Sequence, residues 1–582
     1  MFAKAGVIAS EKTRLRSVPI GAVTMRDGFW KRKMDLNHEH GIWRLLEHLE
    51  SHGVVDNFKI VSGRMRGERK GPYFSDSDLY KWMEGAALIM QSYDDPKLRA
   101  ELDRVIDEVV AAQGEDGYLN TFFQGELFGQ RFRNLPHEHE LYCAGHYFQA
   151  AVAHYRATGE TKLLDSAVRF ADYMVKTFGP GKGLGADGHP EVEMALVELF
   201  RATGKREYLG LAEFFLNEFK YKDLSGVSGH AVRALYLACG GADYFVETGD
   251  AAYEDASRRM WEDTVLRKMY VTGGVGSRYS GEAFGEPYEL PNERAYTETC
   301  AAIASAMFNY RLLSIYGDTR YADEMERALY NGVISGVSID GVSYFYQNPL
   351  ACYRDYQRQE WFGCTCCPTN MVRTLATVPG YMYSVSDEGV WVHLFDNSKV
   401  SYQLADGTPF TLDVKTNYPW DGEVEITVGL DAPKEFTLFV RGSAPMRKTW
   451  QPGETVSLTL DMRPVFLRCD PRVRENFGQV AVRRGPFVYC AESVDNPGVP
   501  IMDLELGECE FTERREDMLG GIVTLVGRGF APDESADRGP LYQSTLSRLP
   551  YKAHESIKLI PYYAWANRGN SHMVVWMPYR QS

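Results

Sequence analysis

The 582-residue chain reads as a multidomain α+β protein, a toroid of paired helices followed by β-sandwich modules. Apolar residues recur at helical spacing from Ile42 to about Val333, and Gly-rich punctuation divides that stretch into pairs of helices. From about residue 384 the pattern changes to short β-type runs. A hydrophobic content of 44% supplies a large core.

Taken in order, a strand-like opening around Val18 to Thr24 marks residues 1–24 as an N-terminal extension. Ile42, Leu45, Leu46 and Leu49 then form one apolar stripe, and Met83, Ala86, Ala87 and Met90 another. Further helices are expected at Leu141–Tyr155, Leu164–Thr177, Pro190–Thr203, Glu207–Phe219, Val232–Gly241, Gly249–Leu266, Thr299–Tyr316 and Tyr321–Val333. Breaks are expected at Gly159-Glu160, Gly204-Lys205 and Gly240-Gly241. The pairs recur every roughly 40 to 50 residues without a strict motif, which favours a closed toroid over an open solenoid. Residues 25–383 therefore form the helical domain. Runs such as Val424–Val428, Phe436–Val440, Gly521–Gly527 and Ile557–Tyr562 read as strands of two β-modules, 384–495 and 496–582. Trp391 and Trp576 sit among these runs as core residues.

Subtracting 79 acidic from 64 basic residues gives a net charge of -15, which argues against broad attraction to nucleic acid. No run of about 18 apolar residues offers a membrane span. Charges at Lys4, Glu11, Lys12, Arg14 and Arg16 interrupt any export-signal core, so a cytoplasmic protein is expected. A homo-oligomer formed through the β-rich region is compatible with the sequence.

Three of the ten cysteines fall within Cys364-Thr365-Cys366-Cys367. Outside a disulfide scaffold, such a run suggests metal or thiolate chemistry, with small buried hydrophobes as the plain alternative. Pro368 suits a first helical turn, and Met371, Val372, Leu375 and Val378 continue the helix, whose starting amides would favour thiolate. Glu298 and Cys300 open another helix. An i,i+2 pair shares no helical face, but a non-helical first turn can bring them together. With Cys366 and Cys367 they make four candidate ligands for tetrahedral zinc, while structural thiols and a redox cluster are the other readings. Cys364 is a further ligand or a neighbour behind the ligands.

Glu282 lies in the Gly-flanked loop Gly281-Glu282-Ala283-Phe284-Gly285. A solvated loop acid is the plain reading. Facing the cysteines in an apolar cleft, it would be kept protonated by desolvation and suit general-acid catalysis. A thiolate and a carboxyl so placed would perform retaining glycoside hydrolysis, with sulfur replacing the usual carboxylate nucleophile.

Gly281-Glu282-Ala283-Phe284, Tyr288-Glu289-Leu290-Pro291-Asn292, Glu298-Thr299-Cys300 and Trp361-Phe362-Gly363-Cys364-Thr365-Cys366-Cys367-Pro368 resemble the catalytic signatures of glycoside hydrolase family 127, the bacterial β-L-arabinofuranosidase family. Phe29-Trp30, Val55-Asp56-Asn57-Phe58 and Glu140-Leu141-Tyr142-Cys143-Ala144-Gly145-His146 extend the resemblance, which spans nearly the whole helical region and reaches the β-rich tail. It implies an (α/α)6 barrel followed by β-sandwich modules and a zinc-dependent cysteine site. Glu298, Cys300, Cys366 and Cys367 would bind Zn2+, with Cys366 the nucleophile and Glu282 the acid/base. His146, His189 and His230, each after a glycine, resemble the family's pocket histidines, and Tyr346 a pocket tyrosine. Glu193 stands four residues beyond His189, a spacing at which a helix would let it support that ring.

The resemblance implies an exo-acting, retaining enzyme that removes terminal β-L-arabinofuranose from a plant-derived oligosaccharide or glycoconjugate. The same chemistry on an acidic or deoxy sugar is the close alternative, with Arg294 and Arg354 as candidates for an acidic substituent. A silent carbohydrate-binding protein with structural zinc and a thiol redox enzyme belong to other classes; no thioredoxin-like βαβ setting favours the last. One departure bears on the sugar. Family members often carry a glutamine near it in the first helix, where an ungapped reading reaches Leu45; a small register shift, or loss of one hydroxyl contact with a different sugar preference, would account for it.

Overall fold

The computed structural model describes residues 6–533, 535, 540–542, 544 and 550–580. The first five residues of the expected extension and parts of the last module lie outside the described residues. Six inner helices organise the helical part: α1 (Asp76–Ile89), α2 (Glu140–Thr158), α3 (Val192–Thr203), α4 (Ala231–Thr248), α5 (Thr299–Tyr316) and α6 (Cys366–Met382). Each packs on the next, and α6 closes on α1. Outer helices Pro96–Ala111, Lys162–Thr177, Arg206–Glu218, Ala251–Asp263 and Thr319–Arg327 follow α1 to α5 in turn, so the expected toroid of helical hairpins is present.

Burial distinguishes the two layers. Walled in by neighbours, α5 buries side chains on every face, whereas Thr319–Arg327 buries only the stripe of Tyr321, Ala322, Met325 and Glu326. Gly159 and Gly204 end α2 and α3 in left-handed conformations, φ 76° and 74°, which releases the chain into the outer helix. Gly240 and Gly241, expected as a break, instead lie inside α4. A Cβ on Gly241 would stand 2.0 Å from Cζ of Tyr221, and one on Gly240 2.8 Å from Cβ of Glu193, so these glycines allow close approach rather than termination.

Near the C-terminal ends of the inner helices, Arg201 of α3 donates to Glu247 and Asp243 of α4 at 2.7 and 2.9 Å. Arg311 of α5 donates to Asp243 at 2.7 Å, which ties three helices by buried charge. No described helix is long and apolar enough to cross a membrane.

Two five-stranded sheets follow the ring. Arg16–Ser17 pairs with Tyr383–Ser386 in one and Val23–Met25 with Ser398–Gln403 in the other, so the N-terminal strands belong to these sheets. Trp391 stacks on Phe439 at 3.8 Å as a core residue, and Trp576 is likewise buried. A third sheet begins at Val465–Leu467. Phe487–Glu492 pairs there with Tyr551–Pro561 and Met573–Val574, so the expected boundary at residue 495 falls inside one sheet. The change of sheet lies instead between Glu454–Thr459 and Val465–Leu467.

The last module also braces the ring. Ala351–Cys352, from the loop between α5 and α6, pairs with Met573–Val574, and Arg358 of the same loop donates to the Trp565 carbonyl at 2.8 Å.

Candidate active site and metal centre

All six inner helices begin at one end of the ring, around a cleft of about 670 Å³. Phe74 and Ser77 come from the start of α1, His139 and Tyr142 from that of α2, and His189 from the segment before α3. His230 and Arg233 come from the start of α4, Glu298 and Cys300 from that of α5, and Cys366 is the first residue of α6. The positive ends of the helix dipoles therefore converge on the cleft and favour anionic groups there. Beneath it Arg373 of α6 closes the lumen, reaching Glu84 and Gln149 at 2.7 Å each and the Tyr236 hydroxyl at 3.0 Å.

The sequence-distant donors Glu298, Cys300, Cys366 and Cys367 meet, with ligand atoms all within 4.8 Å of one another. Glu298 caps α5 from non-helical φ/ψ, which overcomes the i,i+2 mismatch with Cys300. The Cys300 and Cys367 sulfurs are 3.3 Å apart, and those of Cys366 and Cys367 3.8 Å. With metal–sulfur bonds of about 2.3 Å, a tetrahedron has sulfur–sulfur edges of about 3.8 Å. One Glu298 oxygen lies 3.6 Å from both Cys366 and Cys367, while the other is buried without a hydrogen-bond partner.

Charge supports the same fit. Burial, with the nearby Cys366 and Glu282, pushes the Glu298 carboxyl well up, and burial does the same to Cys367. Burial also opposes ionisation of Cys300, but the thiols of Cys366 and Cys367 aimed at its sulfur pull it down to about 6. Four acidic groups packed at such distances call for a shared cation, and these residues could hold a metal ion. Tyr346 stands beside them, its hydroxyl 3.1 Å from Cys366 and 3.7 Å from Cys364. A hydrogen bond with Cys366, and then burial, push the Cys364 thiol up.

Glu282 reaches the cleft from a loop tied to α4, since Phe284 N donates to Gly229 O at 2.8 Å. Its backbone takes φ 51°, an uncommon conformation outside glycine. The expectation that desolvation would keep Glu282 protonated is corrected by its neighbours. Burial does push the carboxyl up, but hydrogen bonding and charge from His230, hydrogen bonding from Tyr296 and the charge of Arg233 together hold it below its usual range.

His189 and His230 line the cleft as expected, but His146 does not. It is fully buried behind Tyr142, their rings 4.6 Å apart, and its Nδ1 is 3.4 Å from Glu191. His139, which the Gly-His pattern missed, lines the cleft in its place. Glu193 is not the support for His189, because α3 starts only at Val192 and Glu193 instead accepts from the Glu191 amide. Asp187 takes that place, accepting from the amides of His189 and Leu141 at 2.8 Å each. The His189 ring meets the Pro190 carbonyl through Nδ1 at 3.0 Å, which leaves Nε2 as an acceptor. Arg294 and Arg354 are exposed and outside the lining, where Arg233 is the arginine found. Leu45 is fully buried and does not line the cleft.

A model of the β-L-arabinofuranosidase, glycoside hydrolase family 127 catalytic domain matches residues 22–380, with that family's middle and C-terminal domains at 389–444 and 464–578. A non-reducing end β-L-arabinofuranosidase of Bifidobacterium longum subsp. longum is 35% identical, over 95% of this chain and 99% of its own. The crystal structure of a family 127 β-L-arabinofuranosidase from Geobacillus stearothermophilus T6 superposes with a TM-score of 0.91 at 36% identity, covering 96% of this chain and 100% of its own. A second family 127 β-arabinofuranosidase gives 0.91 at 34% identity, covering 98% of this chain and 100% of its own. With its helical ring and both β-modules matched by that family's domain models, the chain belongs to glycoside hydrolase family 127.

Proposed function

We propose that the protein is a retaining, exo-acting β-L-arabinofuranosidase, with Cys366 as nucleophile and Glu282 as general acid and base. The carrying observation is that both line one cleft and that Cys366 is only partly buried, whereas Cys300 and Cys367 are buried. Glu298 stands between them, an oxygen 3.6 Å from the Cys366 sulfur and its carboxylate within 4.8 Å of Glu282.

In the first displacement a Cys366 lone pair attacks the anomeric carbon, the glycosidic C–O bond breaks, and the leaving oxygen takes the Glu282 proton. In the second, the Glu282 carboxylate takes a proton from water as its oxygen attacks that carbon, and the C–S electrons return to sulfur. Two inversions retain the anomeric configuration. Tyr346 orients the sulfur, and the first turn of α6 stabilises its negative charge.

Glu298, Cys300, Cys366 and Cys367 would hold zinc, to which three sulfurs and one carboxylate are suited. Zinc bound there would supply positive charge that favours thiolate and a departing sulfur. His139, His189 and His230 would anchor the sugar hydroxyls. The lumen closed at Arg373 leaves no passage for a longer chain beneath, which suits a terminal sugar.

The sugar is carried over from what the Bifidobacterium and Geobacillus relatives are described as cleaving. All ten cysteines are free, which suits a reducing compartment such as the cytoplasm and plant-derived oligosaccharides already taken up. The test is to follow the anomer first released from aryl β-L-arabinofuranosides by NMR with zinc-loaded enzyme. Initial β-L-arabinose supports the reading, and initial α-anomer overturns the two-displacement chemistry. Turnover of only other sugars rejects arabinose.

A further inference from the structure

The first turn of α4 contributes Gly229, His230, Val232 and Arg233 to the cleft, and no side chain caps that helix start. An uncapped N-terminus presents free amides and the positive end of the helix dipole. Arg233 adds a full charge one turn in, on the same face as His230. The guanidinium is half-buried and its Nε is buried without a hydrogen-bond partner; no carboxylate among the described residues pairs with it. Other cations near the cleft are satisfied. Arg373 is paired with Glu84 at 2.7 Å, and Lys81 lies 3.3 Å from Asp78 and 3.2 Å from the Tyr142 hydroxyl.

The charge of Arg233 acts on the Glu282 carboxyl without a direct ion pair, so this half-buried guanidinium keeps its donors for an incoming anion. Its position indicates which part of the substrate would supply that anion. His230, one turn before Arg233, is 2.8 Å from Glu282, the group that protonates the leaving oxygen in the proposed reaction. Arg233 therefore serves the leaving-group side. A chain of net charge -15 also repels acidic substrates in general, so accepting one requires a local cation of this kind.

We propose that Arg233 and the first turn of α4 form a carboxylate-binding subsite, so that the enzyme prefers β-L-arabinofuranose linked to a uronic acid over the same sugar linked to a neutral residue. The inference rests on the proposed arabinofuranosidase reading. A planar guanidinium can take both carboxylate oxygens at once, a geometry lost on esterification.

The test compares arabinofuranosyl-galacturonic acid with its methyl ester. Wild-type enzyme is expected to show kcat/KM about tenfold or more higher for the acid. Arg233→Gln brings that ratio close to one, and Arg233→Lys keeps part of it. A wild-type ratio near one, or a preference that survives Arg233→Gln, overturns the subsite. Equal losses on both substrates, with a shifted pH profile, assign Arg233 to Glu282 alone and also overturn it. Calorimetric titration of wild-type enzyme with galacturonate and galactose is the independent readout, with about tenfold tighter uronate binding expected. If neither disaccharide is cleaved, the arabinofuranosidase reading fails, while equal affinity for the two monosaccharides still overturns the subsite.

Discussion

Nε2 of His230 stands 2.8 Å from Oε2 of Glu282 and holds the carboxyl against the direction in which burial pushes it. A depressed acid is ionised over more of the pH range, so the proton needed for the leaving group is lost at lower pH. Removing the partner reverses the sign. His230→Ala should raise the Glu282 pKa and move the alkaline limb of kcat/KM to higher pH, even as the lost sugar contact lowers the plateau. An alkaline limb that stays in place would detach that limb from Glu282.

Glu282→Gln removes the proton donor while keeping the side chain's size. With a poor alkyl leaving group, kcat should fall by about 10² to 10⁴. An aryl group of low pKa needs little protonation, so glycosylation should be largely preserved and deglycosylation should become limiting. A burst of aryl alcohol followed by a slow phase is the expected trace in stopped-flow absorbance. Equal loss on both substrates without a burst would argue against an acid/base role.

The cysteine cluster was legible because its ligands occupy two short runs, each at a helix start, and ring closure then brings those starts to one end. Depth along a helix was not legible. At 1.5 Å per residue, the seven positions from His139 to His146 carry the second ring about 10 Å below the mouth. Gly145 serves packing there, since a Cβ would lie 2.9 Å from Val192 N. Helical spacing also misled at Glu193, because the segment before Val192 is not yet helix. Arg233 carries no local signal at all, and only the ring shows that the start of α4 opens on the cleft. Sheet membership across residue 495 depends on pairing between distant strands, which alternation within each strand does not encode.

Removal of metal should disable the site. Glu298 and Cys367 are pushed toward their protonated forms by burial, so protons compete with a cation for these donors, and affinity should fall as pH falls. Metal analysis after gel filtration at descending pH should show about one zinc per chain lost progressively, with kcat/KM falling about a hundredfold or more. Cys300→Ser should release the metal at a higher pH than wild type. Full activity in verified metal-free protein would reject a catalytic role for the ion.

Arg201 tests what holds the ring at the end away from the cleft. Its side chain is 2% exposed and joins α3 to Asp243 and Glu247 of α4, while Arg311 shares Asp243 from α5. Arg201→Met leaves these carboxylates buried with one cation fewer, a loss expected to cost about 3–5 kcal/mol, because desolvation of the acids is no longer compensated. Replacing Asp243 as well removes one of the stranded charges but also deprives Arg311 of its partner. The double variant Arg201→Met/Asp243→Asn should therefore recover only part of the loss, and the departure from additivity reports the coupling. Denaturant unfolding at fixed metal content is the measurement, with kcat/KM of the folded fraction expected to stay near wild type. An Arg201→Met cost below about 1 kcal/mol would mean that water or relaxation replaces the guanidinium and that Arg201 does not hold α3 to α4.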